Sequence, residues 1–208
     1  TGYPNPVGQL LWATYTRDPY SNHSWTRAPY GDPEMSRWFY GTEAAANPFN
    51  YDGKAQAAVV AQHHSILIDS LGFCDWFFPI LKNEPFFREG EVPEGESRFG
   101  DVSLEAELYS SATGIDTTLE ELLKMAESVF NLERAAQVRM GRRREDDTFN
   151  EYYFNHPDRR GNPIDRAAWE KTKDEYYQLR GWDTKTGLPS RGKLEELDLK
   201  DVADELGV

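Results

Sequence analysis

Gly53-Lys-Ala-Gln-Ala-Ala-Val-Val-Ala-Gln-His-His-Ser-Ile-Leu-Ile-Asp69 is a proline-free run of helix-forming residues, and Ser70-Leu-Gly-Phe-Cys74 follows it directly. The run predicts a long buried helix over 53–72. Gly72 sets its end, because glycine adopts the left-handed conformation of a helix C-terminal cap at little steric cost. Asp69 then lies one turn before the helix end, where the helix dipole disfavours an anion. An acid at this place predicts a partner that donates hydrogen bonds to it.

Cys74 is the only cysteine among the 208 residues. A single cysteine allows no internal disulfide, which fits a reducing compartment and predicts a cytoplasmic protein. The thiol has two interpretations: a metal ligand, or the small buried hydrophobic side chain that a free cysteine more often is. Its place directly after an Asp-x-x-Gly turn favours the metal ligand.

The composition is that of a folded, acidic protein. Hydrophobic residues make up 38% of the chain and aromatic residues 13%, which supports a packed core. The formal net charge of −13 argues against nucleic acid as a partner, because phosphate binding needs a basic surface. Membrane association is not expected, since no apolar run reaches the roughly 20 residues of a span and no secretory signal opens the chain. The start at Thr1 rather than Met predicts a fragment, a processed subunit or a cloned domain.

The chain divides into an irregular front over residues 1–52 and a helical back over residues 53–208, which we expect to form one structural unit. Prolines and glycines interrupt the front repeatedly, which predicts ordered loops with short helices. The aromatic side chains of the front either line a hydrophobic substrate channel or pack in the core and at domain interfaces. These residues are Trp12, Tyr15, Tyr20, Trp25, Tyr30, Trp38, Phe39 and Tyr40.

Apolar residues at helical spacing dominate the back, with no alternating strand pattern and no internal repeat. The clearest helix begins at the capping-box pattern Thr117-Thr-Leu-Glu120 and continues to Val138. Apolar residues occupy most of its circumference, which predicts a central, buried helix. Further helices are expected over 75–83, over 103–113 with Ser103 as the cap, over 164–179 and after Ser190. The acidic tail from about Lys200 is expected to fray. The fold class is therefore all-α and multihelical.

Three motifs in this order resemble those of the aldehyde:ferredoxin oxidoreductase family of tungsten enzymes. Asp69-Ser-Leu-Gly-Phe-Cys74 is similar to the pterin-and-cluster motif of the family, Asp-x-x-Gly-Leu-Cys or Asp. Asn131-Leu-Glu-Arg-Ala-Ala-Gln-Val-Arg-Met-Gly141, with Asp146-Asp-Thr148 after it, resembles a second family segment. The motifs together make a specific match, and they imply the multihelical C-terminal region of these enzymes. The closing signature of the family is matched by Tyr176-Tyr-Gln-Leu-Arg-Gly-Trp-Asp183, Gly187-Leu-Pro-Ser-Arg191 and Lys193-Leu-Glu-Glu-Leu197.

The resemblance implies cofactors and a role for three residues of the first motif. In the family, the motif's Asp hydrogen-bonds the amino groups of one pterin of a bis-pterin tungsten (or molybdenum) cofactor. Asp69 occupies that position, and a carboxylate is a suitable acceptor for N–H donors. Phe73 stands where the family usually has Leu and would keep a main-chain contact to the pterin. Cys74 aligns with the last thiolate ligand of a [4Fe–4S] cluster, which four thiolates normally hold.

His23 is the candidate for proton chemistry. The family carries a histidine near tungsten in a segment like Ala-Thr-Ser-x-Arg-Gly-x-x-His-x-x-Arg-Ala. Trp12-Ala-Thr-Tyr-Thr-Arg17 and His23-Ser-Trp-Thr-Arg-Ala28 match its two ends, whereas Asp18-Pro-Tyr-Ser-Asn22 replaces and lengthens its middle. A histidine passes a proton near neutral pH or donates a hydrogen bond to a carbonyl oxygen. The alternative interpretation of His23 is an ordinary loop histidine.

The resemblance implies an enzyme that oxidises aldehydes or related small carbonyl compounds and passes electrons through the cluster to ferredoxin. The family's other cluster cysteines, a Cys-x2-Cys-x3-Cys group, are absent from this chain, and so is its β-rich pterin-binding domain. We therefore expect a C-terminal portion that is incomplete alone and is completed by N-terminal domains or a partner subunit. Two alternatives stay open: an all-α interaction module without redox chemistry, and a relative that reduces aromatic thioesters.

Other polar clusters have structural interpretations. His63 and His64 are adjacent on the first helix and point about 100° apart, so together they do not chelate one ion. One of them is expected to be packed and the other exposed. His156 is expected at the surface. Arg142-Arg-Arg144, beside Glu145-Asp-Asp147, predicts favourable positive charge at a helix C-terminus.

Overall fold

The computed structural model describes residues 5–16, 32–74, 78, 80–81, 99–148, 150–157 and 163–208. Within these ranges the fold is predominantly helical, as the sequence predicts. The helices in chain order are α1 (Pro6–Thr14), α2 (Pro33–Tyr40), α3 (Lys54–Leu71), α4 (Leu104–Thr113), α5 (Leu119–Arg139), α6 (Tyr152–Asn155), α7 (Arg166–Arg180), α8 (Arg191–Glu196) and α9 (Lys200–Leu206). Between them lie two 3-10 turns, Glu43–Ala46 and Arg144–Asp146, and two short strands, β1 (Ile80–Leu81) and β2 (Gly100–Asp101).

Helix α3 lies at the centre of the described fold, with α1, α2, α5 and α7 packed against it. Its small side chains at Ala57 and Ala58 are fully buried and let neighbouring helices approach, while Ile66 fills the core. Gly53 and Gly72 flank the helix in the left-handed conformation, with φ of 68° and 69°. The predicted helix over 53–72, with Gly72 as its cap, is confirmed.

Helix α5 packs on α3 with one face only, which corrects the expectation of a central, buried helix. Ala126 and Phe130 are buried on that face. The opposite face carries apolar side chains that are exposed within the described part of the chain, namely Met125, Val129 and Leu132. The sequence predicted too much burial for α5 because it counted every apolar residue as buried, whereas isolated apolar residues are common on protein surfaces. The central position belongs to α3.

The capping box of α5 lies one residue later than predicted. The Glu121 backbone N–H donates to the Thr118 hydroxyl at 3.2 Å, and the Thr118 backbone N–H donates to the Glu121 carboxylate at 2.8 Å. Thr117 bonds instead to the preceding segment: its hydroxyl donates to the Ile115 carbonyl and its N–H to the Ser110 hydroxyl.

Helices α7 and α8 begin at polar caps. The Asp165 carboxylate accepts two N–H bonds of the first turn of α7, so this helix begins at Arg166 rather than at Ile164. It ends at Gly181, as predicted. Ser190 caps α8, also as predicted.

Helix α9 is formed where the sequence predicted a frayed tail. Two ion pairs attach it to earlier helices: Arg139 with Glu205, at 3.2 Å, and Arg191 with Asp204, at 2.7 Å. The buried side chain of Ala203 anchors its inner face. Acidic residues of this tail therefore find cationic partners on α5 and α8.

The strand pair corrects part of the predicted helix over 75–83. Ile80 pairs with Asp101 and Leu81 with Gly100 in an antiparallel ladder. Pro79 stands immediately before the strand and has no N–H for a helical bond; residues 75–77, 79 and 82–83 lie outside the described part of the chain. Helix α4 follows β2, and its cap residue is Ser103, as predicted, although the Ser103 side chain donates to Asp101 instead of capping the helix.

The front segment contributes α1 and α2 to the core. Asn5 caps α1 by accepting the Gly8 N–H at 2.9 Å, and Asp32 caps α2. Tyr15 and Tyr40 are buried, so these two front aromatics pack in the core. The division of the chain at residue 52 stays a prediction. None of the described helices has the length and hydrophobicity that a membrane crossing needs.

Candidate cofactor site

The C-terminus of α3 presents Asp69 on the surface. The chain turns at Gly72, whose N–H donates to the Asp69 carbonyl at 3.3 Å, while the Phe73 N–H donates to the Ile68 carbonyl at 3.0 Å. These bonds satisfy carbonyls that a helix end leaves without intrahelical partners. The left-handed Gly72 therefore fixes how the chain leaves the helix, and it holds Asp69, Phe73 and Cys74 around one turn.

Cys74 is exposed, in contrast to the buried alternative for a lone cysteine. Its backbone is fixed, because the Phe78 N–H donates to the Cys74 carbonyl at 3.1 Å. The rings of Phe73 and Phe78 pack with their centroids 4.9 Å apart. The first motif thus forms an ordered turn with an accessible thiol at its end and an accessible carboxylate, Asp69, one turn before it.

Asp69 and Cys74 could form part of a cofactor site, but they do not form a complete one. Among the described residues, no group of three or more His, Cys, Asp or Glu side chains is placed to hold a metal ion. A [4Fe–4S] cluster takes four thiolates, and the sequence has one cysteine. An exposed thiol fits a cluster whose other ligands come from outside this chain, and an exposed carboxylate fits a pterin bound at the surface of this turn.

His23 lies outside the described residues, and so do the front aromatics Tyr20, Trp25 and Tyr30. The channel interpretation of these rings stays a prediction. Trp38 and Phe39, on α2, are partly buried, with their ring centroids 6.2 Å apart.

Neither of the adjacent histidines of α3 is exposed, which corrects the expectation that one is: His64 is buried and His63 is partly buried. His64 is buried, and its ring lies 4.9 Å from that of Phe39. The Arg180 guanidinium donates to His63 Nε2 at 2.6 Å. Arginine only donates, so this bond requires a neutral imidazole that carries its proton on Nδ1. Burial, followed by the charge of Arg180, lowers the pKa of His63 from 6.5 to about 2.

The second and third motifs meet in a buried network around Asp147. The Arg134 guanidinium donates to both carboxylate oxygens of Asp147, at 2.9 and 2.8 Å, and both side chains are fully buried. The Tyr177 hydroxyl also donates to Asp147. Burial raises the pKa of Tyr177, and the neighbouring Asp147 carboxylate raises it further. Arg134 also donates to the Gly187 carbonyl at 3.1 Å, which ties the closing signature to α5.

A second buried network joins α3 to α7. The Arg180 guanidinium donates to Gln62 Oε1 at 2.5 Å and to the Tyr176 hydroxyl oxygen at 3.1 Å. Gln62 in turn donates to the Thr14 hydroxyl of α1 at 3.1 Å. Trp182, next to this network, donates its indole N–H to Asn131 at 2.8 Å. The residues that carry the second and third motifs therefore hold the helices together.

The basic run 142–144 makes internal ion pairs, so helix C-terminal charge is an incomplete explanation. Arg142 pairs with Asp147 at 2.7 Å. Arg144 pairs with Glu170 and Asp174 of α7, at 2.6 and 2.5 Å. His156 is exposed, as expected, and stacks on Tyr152 with ring centroids 4.1 Å apart.

The sequence analysis did not predict these networks. The position of Arg134 on α5 did, however, indicate the one around Asp147. Arg134 follows Ala126 and Phe130 at a spacing of four and precedes Val138 by four, so it occupies a core position of α5. A charged residue at such a position is almost never fully buried without a partner. The partner, Asp147, lay in the family motif already quoted.

Comparison with known proteins places this architecture in a family. A family model described as "Aldehyde ferredoxin oxidoreductase, domains 2 & 3" matches residues 10–199. The chain belongs to the aldehyde ferredoxin oxidoreductase family. The match extends through all three motifs and covers the C-terminal helical region that the sequence implied.

Two known proteins are similar to this chain over part of their length. The chain is 29% identical, over 150 residues, to the tungsten-containing aldehyde ferredoxin oxidoreductase of Pyrococcus furiosus, and the alignment covers 71% of this chain and 22% of that enzyme. Among solved structures it is similar to the active site complex BamBC of benzoyl coenzyme A reductase in complex with 1,5-dienoyl-CoA. That likeness has a TM-score of 0.66 at 19% identity and covers 98% of this chain and 31% of the other. It shows a shared fold.

Proposed function

We propose that this chain is the C-terminal portion of a tungsten (or molybdenum) pterin oxidoreductase that oxidises aldehydes to carboxylic acids. The proposal has its main support in one observation: Cys74 and Asp69 are both exposed on the turn that ends α3. A core cysteine would be buried, and the dipole of α3 disfavours an anion near its C-terminus. Both features have a use if a cluster and a pterin lie against this turn.

Each residue has a role that its chemistry allows. Asp69 accepts hydrogen bonds from the pterin amino groups, Phe73 offers its backbone beside them, and Cys74 gives one thiolate to the cluster. His23 holds or passes a proton at the substrate oxygen. When bound, the metal–pterin group supplies two-electron redox chemistry, and the cluster supplies a route for electrons to ferredoxin. The remaining ligands and the pterin-binding domain come from N-terminal domains or from a partner subunit.

The two alternatives differ from this proposal in their chemistry. An interaction module without redox chemistry has no use for an exposed thiol and carboxylate on one turn. The reduction of aromatic thioesters would use the same turn, and the fold shared with the benzoyl coenzyme A reductase complex is compatible with it. We favour aldehyde oxidation because the family model and the enzyme of Pyrococcus furiosus are both named for it.

The Cys74→Ala substitution in the assembled enzyme tests the proposal. We expect iron per protein to fall and the EPR signal of the reduced cluster to be lost or altered, because one of four ligands is removed. Ser70→Ala, at an exposed neighbour on the same turn, is the matched control and should leave both measurements unchanged. Unchanged iron and an unchanged EPR signal in Cys74→Ala would remove this thiol from the cluster.

A further inference from the structure

The face of α5 that points away from α3 carries a row of apolar side chains. Met125 is 53% exposed, Val129 37% and Leu132 47%, and the exposed Ala136 continues the row. We call these four residues the outer stripe. Exposed apolar residues are ordinary on a protein surface when they stand singly. These four stand in line, because residues three and four positions apart lie on the same side of a helix.

The spacing of the outer stripe is that of a seam between paired helices. Its members follow one another at intervals of four, three and four residues, which is the alternation of the two apolar positions of a heptad. Such a seam packs against the seam of another helix, where each apolar side chain enters a hole between side chains of the partner. Within the described part of the chain the stripe is exposed, so the helix that would pair with it comes from another molecule or domain.

The outer stripe matches itself when two copies of α5 lie antiparallel. About a two-fold axis between positions 130 and 131, Met125 of one copy lies opposite Ala136 of the other. Val129 then lies opposite Leu132, once on each side of the axis. A long side chain thus faces a small one at each end, and branched side chains meet in the middle. A two-fold contact of this kind uses the same surface on both copies, so it covers the whole stripe of each.

Charge at the edge of the stripe favours the same arrangement. Glu121 and Arg139 are both exposed. The 18 positions between them are about five turns of 3.6 residues, so they lie along one edge of α5. In the antiparallel pair, Glu121 of one copy lies level with Met140 of the other and beside its Arg139. Opposite charges therefore meet at both ends of the contact, whereas a parallel pair would bring like charges level.

We propose that the outer stripe binds the same stripe of a second copy of this chain, with the two α5 helices antiparallel. The heptad spacing supports a helix as the occupant, and the pairing of Glu121 with Arg139 supports a second α5 as that helix. The contact is independent of the proposed cofactor chemistry, because it uses neither Asp69 nor Cys74.

Sedimentation equilibrium of the 208-residue chain over a range of concentrations tests for the dimer. At high concentration we expect a mass of about twice the 23.9 kDa of one chain. Leu132→Glu puts a carboxylate into the middle of the contact and should raise the dimer dissociation constant roughly 100-fold. Leu179→Glu, on α7 at the same 47% exposure, is the matched control and should leave the constant unchanged. A chain that stays a monomer at every concentration would overturn the inference.

Charge reversal tests the antiparallel arrangement. Arg139→Glu places a second carboxylate beside Glu121 of the other copy and should raise the dissociation constant roughly tenfold, with a smaller effect at high salt. The same substitution removes the ion pair of Arg139 with Glu205, so Glu205→Gln is the control and should leave the constant unchanged. Dimerisation of Arg139→Glu as tight as that of the original chain would overturn the antiparallel pairing.

Native mass spectrometry of the assembled enzyme separates a second copy from other occupants of the stripe. We expect Leu132→Glu to halve the number of copies of this chain per complex, with iron per copy unchanged. Loss of N-terminal domains or of a partner subunit from Leu132→Glu, at an unchanged number of copies, would show that they cover the stripe and would overturn the inference. Failure of the proposed function would appear separately, as unchanged iron in Cys74→Ala.

Discussion

At the scale of single residues, burial separates the polar side chains into two groups. Asp69 and Cys74 are exposed at one end of α3, whereas Arg134, Asp147 and Arg180 are fully buried and hydrogen-bonded. A buried charge costs much free energy unless it is paired or hydrogen-bonded. The buried group therefore maintains the fold, whereas the exposed pair lies at the surface. The motif indicated Asp69 and Cys74 as candidate ligands, but the sequence did not indicate which charges are buried.

His63 makes the stability of the chain depend on pH. Its pKa in the folded chain is about 2, against 6.5 for an unperturbed histidine. Below pH 6.5 the unfolded chain takes up a proton that the folded chain does not, so acidification favours unfolding. This group alone should cost about 1.4 kcal/mol of unfolding free energy per pH unit below pH 6.5, or about 2 kcal/mol by pH 5.

Denaturant unfolding of the chain and of His63→Gln, at pH 7.5 and pH 5, measures this effect. Glutamine can still accept from Arg180 but does not titrate, so the variant should lose about 2 kcal/mol less than the original chain between the two pH values. His156→Gln, at an exposed histidine, serves as the control. An equal pH dependence in the chain and in His63→Gln would show that His63 is not held neutral.

At the scale of helices and strands, local signals predicted most elements and long-range contacts corrected them. Gly72, Gly181 and Ser190 mark the helix boundaries that the sequence predicted. The sequence allows two capping boxes, Thr117 with Glu120 or Thr118 with Glu121. Hydrogen bonds of Thr117 to Ser110 and Ile115 select the second register. Such bonds depend on how α4 packs, which the spacing of residues does not show.

The Asp147 network joins α5 to α7, and its loss should separate them. Asp147→Asn keeps the shape of the side chain but removes the charge that faces the buried Arg134. Leaving one partner of a buried pair uncompensated typically costs about 3–5 kcal/mol. Asp146→Asn, at the exposed neighbour, can keep its bond to the Arg143 N–H and should stay within about 0.5 kcal/mol of the original chain.

Chemical denaturation of the two variants gives the comparison. We expect Asp147→Asn to lower the unfolding free energy strongly and to leave its slope against denaturant concentration unchanged. This result would indicate the loss of an interaction in the folded state. Equal stabilities of the two variants would mean that the Arg134–Asp147 pair contributes little to the attachment of α7.

At the scale of the whole molecule, helices packed around α3 present the first motif at one edge. The networks that support this arrangement connect distant parts of the sequence: Arg180 reaches Gln62 across 118 positions, and Arg142 reaches Ala13 across 129. Pairings of this length could not be read from helical periodicity, which reports only near neighbours. The family resemblance implied the fold, and the buried networks account for two of its three motifs, whose residues hold the helices together.

We propose that this chain gives Cys74 and Asp69 to a cofactor site that other domains complete. The chain spans less than a third of the length of either relative that it matches. The most direct test is metal analysis by mass spectrometry of the native protein, purified anaerobically with whatever binds to it. We predict tungsten or molybdenum with about four iron atoms per complex, together with additional polypeptide mass. A metal-free monomer of 23.9 kDa would contradict the claim.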